Sequence, residues 1–200
     1  MSIINDETDV YLSKIFTEID LCSAVLTMKD FEDCLFEDCN FCEATFEKCN
    51  FTECRFLRCN FSNLKIEQSK FLDVIFDECK VIGIDWTKVT FPSVKLCSPF
   101  KFYKCILNDS IFFGLELDEI VIEDCKAHDV DFREGSFKNA NFKYTDFENS
   151  LFHTTNLTSA NFTEAINYNI DLYINEIKWA IFSRTEAVNL LNSLEIELVE

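Results

Sequence analysis

Two histidines, His128 and His153, eleven cysteines and 36 acidic residues are the side chains of this 200-residue chain best suited to act as nucleophiles, ligands or acid–base groups. Their spacing supports little such chemistry. Two histidines cannot build a multi-histidine metal site, and any triad would have to use one of them. Cys125-Lys126-Ala127-His128 has a ligand-like spacing, but a zinc site needs two more ligands; Cys125 reads as core and His128 as solvated. Gly83, Gly114 and Gly135, the only glycines, form no phosphate-cradling GxGxxG or GxxxxGK(S/T) loop. Carboxylates are abundant, yet acid–base work requires a cleft that shifts their pKa values. The chain is expected to be no enzyme and to carry no metal or cofactor.

The elements that must position these groups follow a period of five. Large apolar residues recur every fifth position from Leu21 to Leu96 and again from Phe102 to Phe162, 16 plus 13 or 29 positions in all. A helix needs a period of 3.6 and a strand a period of 2, so neither explains the series; a fixed period marks a stacked repeat. The two runs are offset by a one-residue slip around Ser98-Pro99, within 97–101. Eight cysteines, Cys34, Cys39, Cys49, Cys54, Cys59, Cys79, Cys105 and Cys125, stand two residues before a large position, where Ala44, Ala140, Ser150 and Ala160 stand elsewhere. They read as small core residues, not as a disulfide framework.

Segments such as Ala140-Asn141-Phe142-Lys143-Tyr144 and Ala160-Asn161-Phe162-Thr163-Glu164 resemble the A-(D/N)-(L/F)-x-x unit of pentapeptide-repeat proteins. The resemblance covers about three quarters of the chain. It implies an all-β fold, a right-handed quadrilateral β-helix with four units per 20-residue coil, in which the large residue i and residue i−2 point inward. About seven coils would make a rod roughly 35 Å long at ~4.8 Å per coil. Counting in twenties then stacks Cys39, Cys59 and Cys79, Cys34 with Cys54, and Cys105 with Cys125. The coil spacing lies inside the Cα window for a disulfide, but parallel stacking and a cytoplasmic setting favour reduced thiols.

The expected organisation is an N-terminal cap over 1–18, the β-helix over 19–166, and a C-terminal cap and dimerisation segment over 167–200. Ser183-Arg184-Thr185-Glu186 reads as a capping box opening a short C-terminal α-helix. Plain capping of the coil and pairing of two chains are the alternatives for this tail. In the homodimer reading Phe182, Val188, Leu190, Leu191, Leu194, Ile196 and Leu198 are the contact residues. No apolar stretch approaches the ~18 residues needed to span a bilayer, so a soluble, cytoplasmic protein is expected.

Function must then sit on the outside of the rod. A net charge of −18 excludes nucleic acid as an ordinary partner and makes a basic or DNA-binding protein plausible. Eight acids against Lys48 give residues 30–53 a net −7, and nine acids against Lys126 and Arg133 give residues 108–134 another −7. Residues 80–105, with five lysines against Asp85, carry +4. Adding 20 places Asp33, Glu53 and Asp73 in one outward column of like charge, whereas Asp38, Arg58 and Glu78 alternate in sign and look structural. Glu116, Asp118, Glu119, Glu123 and Asp124 form the second belt, nearer the dimer end and slightly favoured for docking.

The tail, Lys178-Trp179-Ala180-Ile181-Phe182-Ser183 with Glu186-Ala187 and Leu190-Leu191, resembles pentapeptide proteins of the Qnr, MfpA and McbG type. That resemblance implies dimeric rods that imitate duplex DNA, bind DNA gyrase or topoisomerase IV, and protect them from quinolones or related toxins. The alternative is a structural or scaffolding pentapeptide protein with another basic partner. Some Qnr-type members carry long projecting loops; in this chain no insertion is expected to exceed one residue.

Overall fold

One backbone conformation generates the period. Two residues after nearly every large position the chain passes through left-handed φ, between +48° at Ser13 and +69° at Gly83. Non-glycine residues are disfavoured there by on the order of 1–2 kcal/mol, least for Asp and Asn. Most of these corners are Glu, Asp, Asn, Ser or Lys, so the stack rather than local preference holds them. One residue before the large position, Asp or Asn often accepts the backbone N–H two residues on, as in Asn60 to Ser62 (3.1 Å), Asn156 to Thr158 (3.0 Å) and Asp131 to Arg133 (3.0 Å). This Asx turn bends the chain toward its corner and explains the D/N of the repeat unit.

The computed structural model describes residues 4, 8–91, 98–194 and 196. Four faces stack coil upon coil with parallel pairing. The first face holds β1 (Val10–Leu12), β4 (Asp30–Glu32), β7 (Asn50–Thr52) and β10 (Lys70–Leu72). On the second lie β2 (Ile15–Thr17), β5 (Leu35–Glu37), β8 (Arg55–Leu57), β11 (Val74–Asp77), β12 (Phe100–Tyr103) and β13 (Val121–Glu123). Single bridges from Asp20–Asn40 through Asp146–Ile166 form the third face. The fourth holds β3 (Val25–Thr27), β6 (Thr45–Glu47) and β9 (Lys65–Glu67), then bridges from Asp85–Ile111 onward.

The register corrects the expected slip. Val74 stands opposite Phe100, Phe76 opposite Phe102, Lys80 opposite Ile106 and Asp85 opposite Ile111, so the residue number rises by 26 across this coil. In the coils on either side it rises by 20. Six residues are therefore inserted, not one. Thr90 is still in step, its N–H donating to Ser69 O (2.9 Å), and Val74 N–H donates to Pro99 O (2.9 Å), so the insertion falls between Thr90 and Pro99. Counting by fives cannot tell a slip of one from a slip of six, because they differ by one whole unit. Leu96, read as a repeat position, lies outside the described residues.

The coil also runs past both ends of segment 19–166. β1 and β2 pair with β4 and β5. At the other end Ile170 stands opposite Phe152, Glu176 opposite Asn156, and β15 (Ile181–Phe182) pairs with β14 (Asn161–Phe162). The step from Phe152 to Ile170 is shorter than an ordinary coil, which breaks the count of five. About eight turns result.

Stacked phenylalanines fill the interior. Phe16, Phe36, Phe56, Phe76 and Phe102 form one ladder with ring centroids 4.7–5.2 Å apart, and Phe31, Phe51 and Phe71 another at 5.0 and 5.1 Å. Edge-to-face contacts join the ladders, as between Phe51 and Phe56 (5.7 Å).

The small inward residue has its own task. Cys34 Sγ donates to Tyr11 O, Cys54 Sγ to Phe31 O and Cys79 Sγ to Phe56 O, each at 3.4 Å; Ser69 and Thr145 hydroxyls make the equivalent bond at 3.0 and 2.7 Å. Cys, Ser and Thr recur here because the site admits a small side chain and offers a carbonyl of the preceding coil. The longer coil also aligns Cys39, Cys59, Cys79, Cys105 and Cys125 in one column, where counting by twenty leaves two. All described cysteines are free thiols. Burial pushes the Cys54 thiol up to about 12 and raises Cys34 and Cys49, so they stay protonated and unreactive. Iodoacetamide is expected to modify exposed Cys22 in the native protein and the eight interior thiols only after urea unfolding, as mass spectrometry would show.

At the amino-terminal end Lys29 occupies an inward position with 6% exposure, its ammonium donating to Thr8 O (2.9 Å) and Asp9 Oδ1 (3.0 Å). At the other end a short helix over Glu186–Leu194 follows, 3-10 in its hydrogen bonding, with Leu190 buried. The expected capping box does not close: Ser183 Oγ donates to Glu164 Oε1 (2.8 Å) and accepts the Glu164 N–H (2.7 Å). Ser183 directly follows β15, which pairs with β14, so its hydroxyl meets the neighbouring coil before it can reach Glu186. Among the described residues no helix is long and apolar enough to cross a membrane.

Candidate docking surface

Part of each acidic belt lies on the first face. Between Ile111 on the fourth face and β13 on the second, Glu116, Asp118 and Glu119 return to the first face, in line with Asp30, Glu32 and Asp33. The left-handed corner joining the first and second faces carries Asp33, Glu53, Asp73 and then Glu119. The step from Asp73 to Glu119 is the longer coil plus one ordinary coil, so counting by twenty alone could not join them. The six-residue insertion falls between the belts. All of these acids are exposed except Asp73, which is half-buried.

Pairing reduces the column's charge. Lys101 Nζ donates to Asp73 Oδ1 at 2.6 Å, which corrects the reading of Asp33, Glu53 and Asp73 as a column of like charge alone. The longer coil is the cause, because it places Lys101 beside the coil holding Asp73. Asp33 accepts Ser13 Oγ–H (2.8 Å), and Asp118 accepts Ser136 Oγ–H (2.6 Å) and Lys138 N–H (3.1 Å). Basic residues between the belts are likewise engaged, Lys104 with Glu78 (3.9 Å) and Lys88 with Asp85 (3.7 Å).

Glu123 stands on the second face and Asp124 at the corner that follows it, apart from Glu116, Asp118 and Glu119. Glu123 accepts Asn141 Nδ2–H (2.7 Å), and both border a shallow hollow with Tyr103, Lys104 and Tyr144. Elsewhere this face is neutralised: Arg58 donates to both oxygens of Asp38 (2.8 Å each) and to Glu37 (2.7 Å), and Arg55 to Asp77 (2.6 Å). The Arg58 hydrogen bonds lower the Asp38 pKa, as those of Arg133 lower Asp131.

The tail residues divide. Phe182 stacks on Phe162 (5.1 Å) and Leu190 is buried, so both pack within their own chain. Leu191 and Leu194 are half-buried, Val188 and Ile196 exposed, and Leu198 lies outside the described residues. Sequence reasoning missed several large apolar residues left open at this end, among them Tyr173 (75% exposed), Trp179 (71%) and Ile181 (52%). Trp179 was hidden by its left-handed corner position, where polar residues are usual; Lys178 Nζ lies 4.2 Å from its ring centre.

A trypsin-treated variant of QnrB1, a plasmid-mediated fluoroquinolone resistance protein, superposes with a TM-score of 0.64 and 18% identity over 96% of this chain and 92% of that one. HetL, a pentapeptide repeat protein involved in heterocyst differentiation regulation from the cyanobacterium Nostoc sp. strain PCC 7120, matches with a TM-score of 0.66 and 14% identity over 86% of this chain and 84% of that one. At such identities these likenesses establish the fold. No curated protein sequence matches the chain. A family model of the pentapeptide repeat region matches residues 29–98 and 84–162, and with the observed coil it establishes that the chain belongs to the pentapeptide-repeat family.

Proposed function

We propose that this chain is a DNA-mimicking, non-enzymatic protein that binds DNA gyrase or topoisomerase IV in the cytoplasm and protects it from quinolones or similar inhibitors. The observation that carries this reading is the gathering of Glu53, Glu116, Asp118 and Glu119 with Asp30, Glu32 and Asp33 on and beside one face of the rod. A cationic surface that normally grips DNA phosphates would meet carboxylates there, at partial charge density. Net −10 over residues 31–166 spread along ~33 Å is one charge per ~3 Å, against one per ~1.7 Å in duplex DNA. QnrB1, a fluoroquinolone resistance protein, supports the reading by its fold.

A gyrase supercoiling assay with ciprofloxacin tests it. The purified chain is expected to restore supercoiling at drug concentrations that otherwise abolish it. No rescue, together with no salt-sensitive binding to gyrase, would leave the second reading, a scaffold for another basic partner, which the likeness to HetL supports.

A homodimer through the C-terminal segment completes the proposal. Trp179, Ile181, Val188 and Ile196 are apolar and exposed, which water disfavours and a second copy of the chain would relieve. Val188→Glu with Ile181→Glu is expected to halve the mass in solution, read by light scattering, while the far-ultraviolet spectrum of the coil is retained. An unchanged mass would reduce the tail to a cap.

A further inference from the structure

On the third face, opposite the acidic first face, His128 projects over the next coil, which carries Asp146 and Glu148. Its Nε2 lies 2.9 Å from Asp146 Oδ2 and its Nδ1 3.8 Å from Glu148 Oε2. One imidazole nitrogen and one oxygen from each carboxylate lie within 4.8 Å of one another. Donors bound to a common ion at about 2.0–2.2 Å are roughly 3.0–3.6 Å apart, so small side-chain rotations would close this set.

The surroundings hold the ligands in place. Asp146 Oδ1 accepts Asn167 Nδ2–H (2.8 Å) and the backbone N–H of Glu148 (3.2 Å), while the backbone N–H of His128 donates to Asn108 Oδ1 (3.2 Å). Such supporting bonds orient ligands and reduce the cost of assembling a site. His128 and Asp146 have side chains 23% and 25% exposed, and Glu148 is 58% exposed, so the group opens to solvent on one side.

We propose that His128, Asp146 and Glu148 form a binding site for a divalent first-row transition-metal ion of the zinc class, with water in the remaining positions. One imidazole beside two carboxylates selects zinc, nickel or copper over magnesium or calcium, which favour all-oxygen sites. The bound ion would bridge two successive coils, with Asn167 supporting it from a third. Hydrogen bonding of His128 to Asp146 alone is the competing account, and metal binding separates the two.

The test is calorimetric titration of Zn²⁺ into the full-length, untagged chain in millimolar Mg²⁺, with Co²⁺ absorption as a second probe. The expected result is one equivalent bound and a raised melting temperature. His128→Asn and Glu148→Gln should each weaken binding at least about ten-fold, equivalent to ~1.4 kcal/mol, while His153→Asn binds as the parent does. Glu148→Gln lies at the exposed edge and keeps the test valid if His128→Asn fails to fold. Absence of binding, displacement by Mg²⁺, or unweakened affinity in both site variants would overturn the proposal, as would loss of binding in His153→Asn.

Discussion

Phe51→Ala is expected to destabilise the protein by about 3–5 kcal/mol, a large part of the ~5–15 kcal/mol typical of a whole domain. Phe51 is 1% exposed, stacked between Phe31 and Phe71, and touched edge-on by Phe36 and Phe56. Its removal forfeits the transfer free energy of the ring and leaves a cavity that neighbours locked to a coil spacing cannot close. Leu72→Ala is the comparison, because Leu72 follows an interior ring in the chain yet is 44% exposed. Its cost is expected to be about 0.5 kcal/mol, the usual scale for a surface substitution. Urea unfolding followed by circular dichroism reads both. Because stacked repeats couple mainly to their neighbours, Phe51→Ala is also expected to separate unfolding of the amino-terminal coils from the rest, seen as a broadened or two-step transition.

The second large effect concerns the acidic corner. Reversing Glu53 and Glu119 to lysine changes the net charge from −18 to −14, two reversals of two charges each. So does reversing Glu43 and Asp129, which occupy the diagonally opposite corner. If the partner reads the first face, the first pair should weaken gyrase binding at least about ten-fold, or ~1.4 kcal/mol, and flatten its salt dependence. The second pair should stay within about two-fold of the parent. Equal losses would show that total charge, not the face, governs association. Neither pair touches the interior, so unfolding midpoints should hold or rise slightly as like-charge repulsion is relieved.

Much of this architecture is legible in the residues. Phenylalanine at every fifth position, a cysteine, alanine or serine two places earlier, and Asp or Asn one place earlier each answer a local demand: a ring to stack, a small donor for the neighbouring coil's carbonyl, a side chain for the turn. What the pattern concealed came from its own arithmetic. An insertion of six differs from a slip of one by a whole unit, so the meeting of Asp73 with Lys101, the five-cysteine column and the alignment of Glu119 with Asp33 could not be counted out. The coil's ends were hidden for another reason. Tyr11, Phe16, Ile170 and Phe182 fill interior positions, but the spacing around Ile170 shortens and the consensus fades. His128 was read as solvated because its partners belong to the next coil, although adding 20 to its number reaches Glu148. The fold-bearing residues are periodic, whereas the surface follows from the register.

The most direct test of the central proposal is competition on purified gyrase between the chain and linear duplex DNA. Mimicry of DNA predicts that duplex DNA displaces the chain in proportion to its concentration, and that raising salt weakens both together. Binding of the chain that persists at saturating DNA and is indifferent to salt would contradict it.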